Sequence, residues 1–235
     1  IDAADDVVTT AVELTAVSSS GGMIVQHYAF ELQSRRRGPV YSGTTYFGFF
    51  SDEALENQVG VRGASPWHPG DSVRRASRAF DVPARPPYPD ARLRMFERVD
   101  CFLPRGGSRK LGFIEGSMAI DPDAWFFAAH FHQDPVWPGS LGLEALLQLM
   151  RVVAIERWPE VGAPEARFCA MPLGQRHAWT YRGQVTPDCG RVQVQASITG
   201  IDEDRRTLFG EGFLSVDGRV IYAMSEFAAG LRSAP

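Results

Sequence analysis

Apolar and polar residues alternate in short runs near both ends of the chain, and such alternation is what a strand with one covered face produces. Residues 6–17 (DVVTTAVELTAV), 23–34 (MIVQHYAFELQS) and 40–50 (VYSGTTYFGFF) are predicted strands. The polar turns SSSGG and RRRGP join them, which makes an antiparallel meander. The C-terminal part repeats the plan: RVQVQASITGI, the turn DEDRR, TLFGEGFLSV, the tight turn DGR, then VIYAMSEFAAGL. Val40 and Val220 take equivalent places after their turns. The same order at similar lengths indicates an internal duplication.

Between the two lies a stretch rich in proline, with Pro66, Pro69, Pro83, Pro86, Pro87 and Pro89. Proline fixes φ and removes a donor, so residues 61–90 are predicted to be an extended linker. Residues 91–235 are predicted to form a complete unit. It has strands at 92–104 and 110–120, an apolar helix at 140–158, strand material at 166–187, and the three repeated strands. Residues 1–60 hold only the part that would follow such a helix, so a front half is expected upstream of Ile1, or lost.

The predicted helix SLGLEALLQLMRVVAIERW is apolar on nearly every side, as when a sheet wraps it. Its polar residues Ser140, Glu144, Gln148 and Arg151 fall on one narrow stripe at 3.6 residues per turn. A lone carboxyl in a buried helix is costly when ionised, so Glu144 is expected to hold its proton and to be a ready donor. The bland reading is a structural glutamate bonded to Gln148. His130 stands just before the Pro138-Gly139 turn that starts the helix. A base and an acid facing one cavity would allow loss of water from adjacent carbons. The unpaired N–H of Gly139 at the helix start could stabilise an enolate-like charge.

The segment HFHQD also has a spacing that can hold a metal, through His130, His132 and Asp134. That reading leaves Pro138, Gly139 and Glu144 idle. The remaining histidines, His27, His68 and His177, bring no supporting spacing.

Charge and composition narrow the classes further. A net charge of −4 and scattered basic residues argue against nucleic acid as a partner, and Arg35-Arg36-Arg37 reads as a solvated turn. Lys110 is the sole lysine, in a polar loop, which leaves little room for lysine-based chemistry. Cys101, Cys169 and Cys189 are far apart and form no C-x-x-C pair, so neither a disulfide framework nor a cysteine zinc site is expected and a reducing cytoplasm fits. No apolar run is long enough for a membrane span. The opening IDAADD has no signal-peptide pattern, and the chain reads as part of something longer.

The segment WFFAAHF…DPVWPGSLGLEALLQL resembles the active-site segment of bacterial β-hydroxyacyl-[acyl carrier protein] dehydratases of hot-dog fold. YSGTTYFGFF, LGFIEGSMAIDPDAWFF and YRGQVTP are similar to dehydratase domains of polyunsaturated fatty acid and iterative polyketide synthases. The resemblance runs from about residue 40 to the C-terminus and is weakest over the linker. It implies an α+β class in which an antiparallel sheet wraps a long central helix, here a double hot dog with the first unit incomplete. It implies His130 as the base that takes the α-proton and Glu144 as the acid that protonates the leaving hydroxyl. Gly139 would contact the thioester carbonyl through its N–H, with Gln148 and Ser140 in support. Trp137, Phe127 and Phe131 are candidate walls of an acyl tunnel. The substrate would arrive on the phosphopantetheine of an acyl carrier protein, with no metal or organic cofactor.

Two departures from the family pattern follow. The acid is Glu, where dehydratases that also isomerise the double bond usually have Asp. In the family, the base and acid of one site come from two different hot dogs, yet here both candidates lie in the second unit. The expectation is therefore that two copies of that unit pair about a two-fold axis, or that an upstream segment completes a pseudo-dimer. The rival classes are a hot-dog thioesterase and a hot dog without catalytic activity.

Overall fold

The computed structural model describes residues 7–83, 89–161, 167–168 and 174–232. Cys169 and most of the expected strand material at 166–173 lie outside them. The chain divides into two units, Ile1–Gln58 and Val59–Pro235.

The first unit is a meander of β1 (Val8–Ser20), β2 (Met23–Ser34) and β3 (Gly38–Phe49), followed by the short helix α1 (Asp52–Glu56). Gly21 and Gly22 both have positive φ, which is the geometry a two-residue hairpin turn requires between right-twisted strands. Its large apolar residues stay exposed, Val12, Phe47 and Phe49 most of all. Among the described residues no apolar side chain of this unit is buried, and no long helix packs on its sheet.

The second unit holds the core. Its strands are β4 (Arg78–Asp81), β5 (Arg98–Leu103), β6 (Phe113–Ala119), β7 (Arg167–Phe168), β8 (Ala178–Tyr181), β9 (Arg191–Asp202), β10 (Thr207–Val216) and β11 (Arg219–Arg232). They form one antiparallel sheet in the order β4-β5-β6-β9-β10-β11-β7, with β8 also paired to β11. The short helix α3 (Trp125–Ala129) leads into α4 (Gly139–Arg157), which packs against β6, β9, β10 and β11. A sheet curled round one long helix is the hot-dog arrangement.

The packing explains why these strands face as they do. Ile114, Val194, Ala196, Leu208 and Leu214 meet Leu146, Leu149, Met150 and Val153 of α4 in one apolar cluster. A Cβ on Gly142 would lie 2.6 Å from the ring of Tyr222, so glycine is what lets the first turn of α4 settle on β11. Burying a side chain such as Leu146 or Leu149 stabilises by roughly 2 kcal/mol before entropy is counted.

Three expectations are corrected. The stretch 61–90 is more than a linker: α2 (Asp71–Arg75) and β4 lie within it, and β4 pairs with β5. Its early part straps the outer face of the sheet. The Val61 N–H donates to the Val220 carbonyl (2.9 Å), Trp67 packs on Phe113 (centroids 4.6 Å apart), and Arg74 pairs with the buried Glu115. The strand expected from residue 92 starts only at Arg98. Before it, a 3₁₀ turn covers Ala91–Leu93, and the backbone of Leu93 and Met95 bonds to a helix side chain instead of a sheet neighbour. The helix is also not wrapped all round, because Leu143, Leu147, Arg151 and Ile155, four apart, are only half-buried and leave one flank open.

Candidate active site

The turn that carries His130 is fixed from both ends. His130 follows the last residue of α3, and its N–H donates to the Phe126 carbonyl (3.0 Å). Gln133 takes a left-handed φ of 59°, which folds the chain back, and Val136 and Trp137 then plunge into the core. The Trp137 N–H donates to the Val185 carbonyl (2.9 Å) and locks the turn to the strand side of the unit.

This folding back places the His130 Nδ1 3.0 Å from the Val136 carbonyl. A carbonyl oxygen only accepts, so Nδ1 carries the hydrogen, and Nε2 of the neutral ring carries the lone pair. That is the tautomer a general base needs. The Phe131 ring stacks on the imidazole with centroids 3.9 Å apart.

Helix α4 then starts behind Pro138, a residue with no side chain to cap it. The Leu141 N–H turns back to the Pro138 carbonyl (3.0 Å). Among the described residues the N–H groups of Gly139 and Ser140 make no hydrogen bond, and both sit at the positive end of a 19-residue helix. The indole N–H of Trp137 is likewise buried without a partner among them. A developing negative charge on a carbonyl oxygen suits such a place.

The polar stripe forms as one connected group. Gln148, 3% exposed, is held by its Oε1 accepting from the Met95 N–H (3.0 Å) and its Nε2 donating to the Leu93 carbonyl (2.9 Å). The same Nε2 donates to Glu144 Oε1 (3.1 Å), and Arg151 donates to that oxygen as well (2.6 Å). The expectation of a lone carboxyl is thus corrected, since Glu144 has a cation and an amide on one oxygen. Its Oε2 has no partner among the described residues and remains available to a ligand. The Arg151 guanidinium lies over the Phe168 ring, 5.3 Å from its centroid. Gln148 and Arg151 also line a small recess with Val82, Phe96, Ile155 and Phe168, with room for about one water molecule.

The sequence-derived candidates therefore fall into separate groups. Glu144 and Gln148 come together, with Arg151 added. His130 makes its contacts with Val136 and Phe131, and among the described residues no hydrogen bond joins it to Glu144. Ser140 is exposed at the helix start. Phe127 and Trp137 are buried against Phe126, in ring contacts at 4.8 and 5.1 Å, and so fill the core, whereas Phe131 is on the surface. His132 and Asp134 are exposed, and among the described residues no three metal-ligating side chains gather. No helix of the described residues is long and apolar enough to cross a membrane.

Sequence reasoning left four contributors unassigned. Arg151 was visible on the stripe, seven residues from Glu144, but its side chain was not paired there. The Leu93 and Met95 backbone anchors gave no signal. Tyr222, whose hydroxyl reaches the Gly139 carbonyl (3.2 Å), sits in a strand that reads only as core.

The chain is 28% identical over 243 residues to a polyunsaturated fatty acid synthase subunit of Thraustochytrium sp. (strain ATCC 26185 / S-3). That match covers 93% of this chain and 16% of the relative, so the chain spans a small part of that protein's length. Among solved structures, the dehydratase heterocomplex ApeI:P from Xenorhabdus doucetiae matches with a TM-score of 0.45 at 17% identity, over 62% of this chain and 87% of that one. A point mutant of the fluoroacetyl-CoA-specific thioesterase FlK matches with a TM-score of 0.38 at 12% identity, over 52% and 85%. The FabA-like domain model matches residues 88–225, more than half of the sequence and all of the helix with its flanking strands, and the chain belongs to that family.

Proposed function

We propose that this chain removes water from 3-hydroxyacyl thioesters carried on an acyl carrier protein, giving trans-2-enoyl thioesters in fatty acid or polyketide synthesis. The observation that carries the reading is that one unit presents two prepared groups, one just before α4 and one within it, each for a site that a second hot dog completes. His130 has its lone pair on Nε2, and Glu144 has Oε1 occupied and Oε2 open.

In this reading His130 Nε2 takes the proton from the carbon next to the thioester carbonyl. The electron pair moves toward the carbonyl oxygen, to which the Gly139 N–H donates a hydrogen bond. The pair then forms the carbon–carbon double bond as the β-carbon–oxygen bond breaks. The reactive form has Glu144 protonated on Oε2, with Oε1 still accepting from Gln148 and Arg151, and that proton passes to the departing oxygen, which leaves as water. Both groups return to their starting forms by proton exchange with solvent. Gln148 and Arg151 hold the carboxyl. The site uses no metal or organic cofactor.

The base and the acid of one site come from two hot dogs, so the working form is a pair. Either two copies of the second unit associate, or another hot-dog segment of a longer chain supplies the mate. The reading is tested by incubating the chain with 3-hydroxyacyl thioesters of several lengths and following loss of water by mass. Enoyl product is expected, and His130→Ala is expected to abolish it while the thermal midpoint stays within a few degrees. Release of free thiol without enoyl product, or one equivalent of bound zinc in the purified protein, would overturn it.

A further inference from the structure

Tyr222 is 1% exposed, and the lack of a Cβ on Gly142 brings its ring against the first turn of α4. Its hydroxyl donates to the Gly139 carbonyl at 3.2 Å. That carbonyl belongs to the peptide unit whose other end is the Ser140 N–H. Withdrawing electron density at a carbonyl oxygen strengthens the N–H of the same peptide as a donor, and hydrogen bonds in a chain polarise one another. The Ser140 N–H makes no hydrogen bond among the described residues, and neither does its neighbour on Gly139.

From this arrangement, and resting on the dehydratase reading above, we infer that Tyr222 is a positioning residue that clamps and polarises the Gly139–Ser140 peptide. The seat for the thioester carbonyl is then a two-donor one, formed by the N–H groups of Gly139 and Ser140 together. Tyr222 touches neither substrate nor reacting atoms and acts only through the helix start. The Tyr181 ring stacks on it with centroids 4.5 Å apart and limits its tilt from the far side. Burial raises the pKa of both phenols, Tyr181 to about 12 and Tyr222 well above the ordinary value, and the two hydroxyls also hydrogen-bond each other, so at neutral pH the clamp is a neutral O–H donor.

The test uses the full chain and a 3-hydroxyacyl thioester with two methyl groups on the α-carbon, which binds but has no proton to lose. Its carbonyl stretch is read by infrared difference spectroscopy in the wild type, in Tyr222→Phe, and with 3,5-difluorotyrosine at 222. The wild type is expected to lower the carbonyl frequency relative to solution. Phenylalanine is expected to return it part of the way, and the more acidic fluorinated phenol to lower it further. With the reactive substrate, Tyr222→Phe is expected to cut kcat roughly tenfold with KM within about twofold. A buried ring with a merely structural role would move none of these while the fold held. Unchanged carbonyl frequency and unchanged kcat in Tyr222→Phe overturn the inference. If that variant does not fold, the fluorinated protein decides alone, and a frequency equal to wild type overturns it. Absence of enoyl product from the wild type overturns the dehydratase reading instead, and the infrared comparison still decides on the clamp.

Discussion

Replacing Gln148 by leucine tests how far one buried amide holds the site together. Leucine has nearly the volume of glutamine, so the packing between α4 and the 93–96 segment changes little. What is lost is hydrogen bonding. The Met95 N–H belongs to a residue 1% exposed, so it is left without its partner and without water. A buried donor stranded in this way costs about 1–3 kcal/mol. The Leu93 carbonyl belongs to a residue 53% exposed, so water can replace the amide there at little cost. The bond to Glu144 is half-exposed and contributes less than about 1 kcal/mol. The sum is a loss of about 2 kcal/mol, which in a unit of this size lowers the thermal midpoint by roughly 4–8 °C. Urea unfolding followed by tryptophan fluorescence measures it, with an unchanged slope expected because the surface exposed on unfolding is the same. A Gln148→Leu variant within about 0.5 kcal/mol of wild type would refute the reasoning, because it would mean that Met95 finds another acceptor.

Other outcomes follow from the same geometry. Arg151→Met removes a partly exposed ion pair and is expected to change stability by less than about 1 kcal/mol in a urea titration. Gly142→Ala drives a methyl group into the Tyr222 ring and is expected to cost about 1–3 kcal/mol, a loss that Tyr222→Leu in the same chain relieves. Raising pH should destabilise the fold between about 10 and 12. The Tyr181 phenol ionises near 10.0 when unfolded but only at about 12 when folded, so its contribution is complete below pH 10 and lost as pH climbs through 12. Unfolding curves at pH 9, 10 and 11 check the sign; equal stability at all three would count against a shielded Tyr181 hydroxyl.

Much of the second unit could be read from the chain because its strands alternate and its helix is bounded by Pro138 and Pro159. The grouping of Glu144 with Gln148 was legible from the stripe and the place of Gly139 at the helix start from the Pro-Gly turn, whereas the roles proposed for them and for His130 rest on the family pattern. What the sequence hid was long-range. Proline content made 61–90 look like a spacer, yet β4 finds a partner across the sheet, and only the fold brings Arg74 to Glu115 or Trp67 to Phe113. Arg151 fell on the stripe, but whether it turned to Glu144 or to solvent depended on side-chain torsions that periodicity does not encode. Tyr222 was masked by its neighbours, because an aromatic inside an apolar strand looks the same whether its hydroxyl bonds or not. The backbone at Leu93 and Met95 left the expected strand for a reason the alternation pattern lacks: a glutamine on the helix outcompeted a sheet neighbour for it.

The strap over the outer face also decides where this protein can be cut. A fragment begun at residue 91, where the prolines suggest a boundary, would lose β4 and bare the edge of β5, a row of unpaired amides and carbonyls open to any passing strand. It would also uncover Phe113 and strip Arg74 from Glu115, leaving a carboxylate lodged in the sheet with no cation beside it. Such a piece is expected to aggregate. A fragment begun at Val59 keeps the strand, the tryptophan and the arginine together.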